Sequence, residues 1–135
     1  MFDALDMGAS GLKAQRIRLD TIAQNIANVN TTRNARGEKV PYKRRFVILS
    51  SGAAGGSSKP GVHVDAIKTD EQRPYQKRYE PGHPDADAEG YVLYPNIDPT
   101  IEFVNALEAS RSYEANVNMM DVTKAMINAS LRLLA

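Results

Sequence analysis

Two apolar stripes with helical spacing, one at each end of the chain, constrain the fold more than any other feature. Positions 5, 8, 12, 15, 19, 22, 26 and 29 read Leu5, Gly8, Leu12, Gln15, Leu19, Ile22, Ile26 and Val29. This 3–4 alternation predicts an amphipathic helix over about Phe2–Val29 with a narrow, coiled-coil-like seam. Lys13, Arg16, Arg18, Asp20 and Gln24 occupy its other face. Positions 103, 106, 110, 113, 117, 120, 124, 127, 131 and 134 repeat the spacing with Phe, Ala, Ser, Tyr, Val, Met, Lys, Ile, Leu and Leu. They predict a second helix from Pro99 or Thr100 to about Leu133. Asp98-Pro99 opens it, because proline tolerates the first helical position. Glu102 suits the first turn and Arg132 the last.

The segment between the stripes has a different pattern. Phe46-Val47-Ile48-Leu49 is a short apolar run within Tyr42–Ser51. Val62, Val64 and Ala66 alternate with His63 and Asp65, and Arg73–Tyr79 and Gly90–Tyr94 read as further strands. Between them, GAAGGSSKPG at Gly52–Gly61 reads as a flexible loop or long turn. The expected fold is therefore α+β. An N-terminal helix and Asn-rich joint fill residues 1–32. A β-rich middle fills 33–98, with a flexible loop at 50–61, and a C-terminal helix fills 99–135. The middle is too small to cover both stripes. The end helices must cover each other as an antiparallel layer, or cover copies of themselves in other subunits.

Composition narrows the chemistry. The 135 residues carry 17 basic and 16 acidic side chains, so net charge selects no partner. Cysteine is absent, which excludes disulfides and thiolate catalysis. The two histidines, His63 and His83, lie in an expected strand and in an acidic turn. That turn, PGHPDADAE, lacks the spacing of a calcium loop. No phosphate-binding glycine loop is present. Neither an enzyme nor a cofactor site is expected. No apolar run has the length of a membrane span. The start, with Asp3 and Asp6 before Lys13, lacks the order of a cleaved secretory signal. The expectation is a cytoplasmic protein, or one that leaves the cell without such a signal.

The charges are unevenly placed. Arg33, Arg36, Lys39, Lys43, Arg44 and Arg45 face only Glu38, whereas Tyr79–Ser110 holds no Lys or Arg. Arg33, Lys43, Arg44 and Arg45 are expected to meet Asp85, Asp87 and Glu89 of neighbouring copies. A nucleic-acid reading of the basic stretch has Tyr42 and Phe46 for stacking. It lacks a recognition pattern and a net positive charge, so no nucleic-acid partner is expected.

One motif is specific. SGLKAQRIRLDTIAQNIANVNTT at Ser10–Thr32 resembles the rod motif of bacterial flagellar axial proteins, with Ala27, Asn28, Val29, Asn30 and Thr31 matching the signature that closes the helix. EASRSYEANVNMMDVTKAMINASLRLL at Glu108–Leu134 resembles the C-terminal helix of that family, and YEPGHPDADAEGYVLYPNID at Tyr79–Asp98 is similar to its proximal-rod members. The resemblance implies a structural subunit, exported without a cleaved signal through the flagellar type III apparatus. It implies a place in the periplasmic rod that joins membrane ring and export gate to the distal rod, transmits torque and encloses the channel. The implied partners are copies of the chain and other rod proteins. On that reading Leu12, Leu19, Ile22, Ile26 and Val29 form an assembly seam with Tyr113, Val117, Met120, Ile127 and Leu131. Ala27, Asn28, Asn30 and Thr31 form a joint between the assembling helix and the outward middle. An axial subunit at another level of the rod is the alternative.

Overall fold

The structure, a computed structural model, describes residues 2–135. Helix α1 spans Phe2–Ala27 and helix α2 spans Pro99–Leu134. Between them lie β1 (Arg45–Ala53), β2 (Ser57–Thr69), β3 (Gln76–Tyr79) and β4 (Tyr91–Tyr94). The helices pack on each other, and the α+β expectation is borne out.

The helix ends follow from their side chains. Asp98 caps α2 by accepting the Thr100 N–H at 3.0 Å, and Pro99 occupies the first turn, where a missing N–H costs nothing. At the far end of α1 the Asn28 amide donates to the Gln24 carbonyl at 2.8 Å, and the Thr31 hydroxyl donates to Asn28 Oδ1. The Gln24 carbonyl also accepts the Asn28 N–H at 3.1 Å, so the side chain adds a second bond to the last turn.

The middle corrects the expectation once and refines it once. First, 50–61 is not a loop. Strands β1 and β2 pair antiparallel up to Ala53 and Ser57, so only 54–56 turn. Gly55 and Gly56 take φ of 87° and 73°, a left-handed backbone that glycine adopts without strain. Two register shifts absorb the extra residues of β2; one of them leaves Asp65 without a partner between Ile48↔Ala66 and Leu49↔Val64. Second, the β-rich middle is divided, its four strands forming two separate hairpins with β3 pairing only β4. Asp70 Oδ1 accepts the Gln72 and Arg73 N–H groups, which turns the chain away after β2. Pro74 has no N–H to extend a ladder, and β3 starts at Gln76.

Buried apolar residues are few and fall in two places. Ala14, Ile22 and Ala109 lie in the helix layer, while Val92, Tyr94 and Ile97 lie around β4. The accessible surface is 9098 Å². A compact monomer of 14.8 kDa exposes about 7,000 Å². The excess is roughly 2,000 Å², and most of the exposed large apolar side chains lie on α2.

Candidate assembly surface

The two helices meet through small and polar residues. A Cβ on Gly8 would stand 2.5 Å from Met120 Cγ, and one on Gly11 would stand 2.8 Å from Asn116 Nδ2. Further along, Arg18 pairs with Glu108 at 3.4 Å and Asn25 with Glu102 at 3.2 Å. These contacts fix an antiparallel pair whose closest approach needs glycine. The buried positions of α2 are Glu102, Ala109 and Thr123. They lie one residue before the expected Phe103, Ser110 and Lys124.

Within the single chain the expected seam residues differ in burial. Ile22 is buried, and Leu12, Leu19, Ile26, Val29, Val117, Met120 and Ile127 are half-buried. Tyr113 is exposed, and Leu131 is 59% exposed. The physical reason is distance. With Gly8 and Gly11 at the contact, Met120 and Asn116 fill the space that a side chain on α1 would need, and the helices approach closely there. The small residues Gly8, Gly11, Ala14 and Ala109 were the available sign in the sequence.

Helix α2 carries a second row on one flank, from which Met119 Cε still reaches toward Gly8 of α1. Ala115, Met119, Val122, Met126, Ala129 and Leu133 recur at the 4–3 spacing of a coiled-coil seam, and all six are exposed. Val122 and Met126 are 60% and 58% exposed, and Phe103, Val104 and Leu107 extend the apolar surface toward the start of α2. The last turns also outrun their partner. Because Gly8 lies against Met120, α1 begins near Met126. The remaining eight or so residues of α2 project about 12 Å further at 1.5 Å per residue.

The opposite end of the pair is closed by polar groups. Asn25 and Glu102 are both fully buried. The Asn25 amide donates to Glu102 Oε2 and, at 2.7 Å, to the Arg45 carbonyl, while its Oδ1 accepts the Arg45 N–H at 3.0 Å. Arg44 Nε donates to the other Glu102 oxygen. Asn96 accepts the Arg44 N–H and donates to the carbonyls of Asp70 and Arg73. Asn25, Asn96 and Glu102 were not singled out from sequence as a group. They lie far apart in the chain, and a buried carboxylate on an amphipathic helix reads as a surface residue until its cation is located.

The charges expected to reach neighbours are largely engaged within the chain. Arg33 pairs with Asp85, Lys43 with Glu71, and Arg44 with Glu102 and Asp70. Arg45 lies over the Tyr42 ring at 5.8 Å. The Arg33 guanidinium, and then the Thr32 hydroxyl, hold the Asp85 carboxyl below the ordinary carboxylate range. The Tyr91 N–H does the same for Asp87, which also accepts from the Glu89 N–H. These contacts tie the acidic turn 80–90 to the joint. In the joint itself Ala27 and Asn30 are exposed, whereas Asn28 and Thr31 are half-buried. Among the described residues no group of three or more His, Asp or Glu side chains could hold a metal ion, and no helix is long and apolar enough to cross a membrane.

Paired terminal helices, a largely exposed apolar row and engaged polar groups define a structural subunit. Comparison with known proteins agrees. Residues 5–34 match the family described as flagella basal body rod protein, and residues 88–133 match the flagellar basal body rod FlgEFG protein C-terminal family. The chain is 42% identical to the flagellar basal-body rod protein FlgC of Bacillus subtilis, covering 98% of this chain and 97% of the relative. It is 40% identical to the FlgC of an Escherichia coli strain over the same shares, and 34% identical to that of Borreliella burgdorferi over 99% and 97%. The chain belongs to the flagellar basal-body rod protein family.

Proposed function

We propose that this chain is a FlgC-like subunit of the proximal rod, and that the exposed row of α2 is its principal contact with neighbouring subunits. The observation that carries the reading is that row: six exposed positions at coiled-coil spacing, Ala115 to Leu133. The excess surface supports it. Roughly 2,000 Å² exceeds the ~800 Å² per partner of a standard interface, so there is area for more than one neighbour. The paired helices form the inner wall around the channel, and the two hairpins stand on the outer side. In that position the chain links membrane ring and export gate to the distal rod and passes torque between them. It reaches the rod through the flagellar export apparatus without a cleaved signal. Copies of the chain and other rod proteins cover the row.

The test uses the absence of native cysteine. Cysteines placed singly at Val122, Met126 and Leu133 are oxidised in cells that carry assembled basal bodies with cysteines on candidate neighbours. Cross-links from these three, and none from Lys77 or Thr69 on the hairpins, are expected. Retained motility with no cross-link from α2 would rule the row out as the contact.

A further inference from the structure

The long hairpin β1–β2 is held at its root by side chains from both helices. The root consists of Arg44 and Arg45, where the chain enters β1, and Asp70, where it leaves β2; the Asp70 N–H donates to the Arg44 carbonyl at 2.8 Å. The Asn25 carboxamide engages both main-chain groups of Arg45, as an adjacent strand would. Glu102 of α2 then bridges Asn25 and Arg44 through its two oxygens. Beyond the root the hairpin packs on α1 and not on α2. Its packing on α1 has a gap. A cavity of about 310 Å³ lies between them, lined by Ser10, Ala14, Ile17, Val62 and Val64 among others. The Val62 N–H reaches Ser10 Oγ across it at 3.1 Å. Close packing of the hairpin on α1 is therefore interrupted at this cavity.

We propose that the Asn25–Glu102–Arg44 cluster couples helix pairing to hairpin orientation. Glu102 arrives only when α2 lies on α1. It completes the hydrogen bonding of Asn25 and supplies the buried carboxylate for Arg44. With α2 in place the root is fixed from two sides and the hairpin has one pose. With α2 away, the contacts to Asn25 and Ser10 flank an open cavity, and the hairpin swings on its root. The residues act by positioning. The coupling is a property of the single chain and does not rest on the rod reading.

Spin labels on Ala54→Cys, in the hairpin turn, and Ala115→Cys, on α2, report the pose in the full chain as a distance distribution. One narrow distribution is expected for the parent. In Glu102→Gln an amide N–H₂ confronts one of the two donors, Arg44 or Asn25. In Asn25→Asp a second carboxylate faces Glu102. Each variant is expected to broaden the distribution at least about twofold while helix content by circular dichroism stays within about a tenth of the parent. Glu108→Gln, which removes the Arg18 pair between the same helices but leaves the cluster intact, is expected to leave the width unchanged. An unchanged width in both cluster variants overturns the proposal. So does a broad distribution in the parent, an equal broadening in Glu108→Gln, or a loss of helix in both cluster variants, because the cluster would then hold the helix pair rather than the hairpin.

Discussion

The two ends of the helix pair are chemically opposite. At one end, Asn25, Arg44, Asn96 and Glu102 are buried or nearly so, and each makes hydrogen bonds to another part of the chain. At the other, Phe2, Met126, Leu131 and Leu133 are exposed, and α2 runs on past its partner. Polar groups close the fold where it is finished, because buried hydrogen-bonding groups tolerate few alternative arrangements. Apolar groups are left where it is unfinished, because they accept any complementary surface. The closed end specifies the subunit, and the open end leaves free energy for contacts with others.

The contrast is broken most sharply by charging the open end. Val122→Asp with Met126→Asp should abolish rod assembly, read as loss of motility and of basal bodies, because two unpaired charges would enter an apolar contact. The urea midpoint of the free chain should move by no more than the equivalent of about 0.5 kcal/mol, as for other exposed positions. A large loss of stability instead would mean that the row is covered within the chain.

The helix contact gives the next effect. Gly11→Val forces side-chain atoms into Asn116 and should destabilise the free chain by about 1–3 kcal/mol in a urea titration. An unaffected midpoint would show that the helices are not held at this spacing in solution.

A smaller effect belongs to the joint. Asn28→Ala with Asn30→Ala removes one carbonyl partner at the end of α1 and should cost about 1 kcal/mol or less in the free chain. Assembly is expected to suffer more than helix content, and equal losses would confine the joint to a local role.

The smallest effect is expected from acid. The folded Asp85 carboxyl titrates below its unfolded value, so the stability it contributes is present above that value and is lost as the pH falls through the folded one. Its partners are near solvent, which keeps the effect small. Below about pH 4 the turn 80–90 should loosen from Arg33 and Thr32, visible as faster amide exchange there, while α1 and α2 keep their protection. Loosening at neutral pH would contradict the assignment.

Much of this architecture is legible in the sequence because helical periodicity survives averaging over many residues. Both helices, the Asp98-Pro99 start and the capping role of Asn28 follow from spacing and side-chain chemistry. What spacing does not give is the rotation of a helix by one position. The rows 103/110/117/124 and 102/109/116/123 differ by about 100°, and hydrophobicity alone favours the first. The inner choice fell to Glu102, Ala109, Asn116 and Thr123, with Asn116 seated in the space that Gly11 leaves and Glu102 bonded to Asn25. Of the surface, the apolar character of α2 was legible, and the buried cluster was not. Asn25, Arg44, Asn96 and Glu102 are far apart in the chain, and only the folded path brings them together.

The unequal lengths of the helices give the molecule a direction. One end carries a bare apolar stem and the other a closed polar root, so the two ends are unlike. Contacts between like ends would pair two copies by a twofold axis and stop there. Contacts between unlike ends repeat without closing on themselves unless the rotation returns to its start. A subunit of this shape can therefore add to a growing end without exhausting it, with each arrival covering one stem and presenting another.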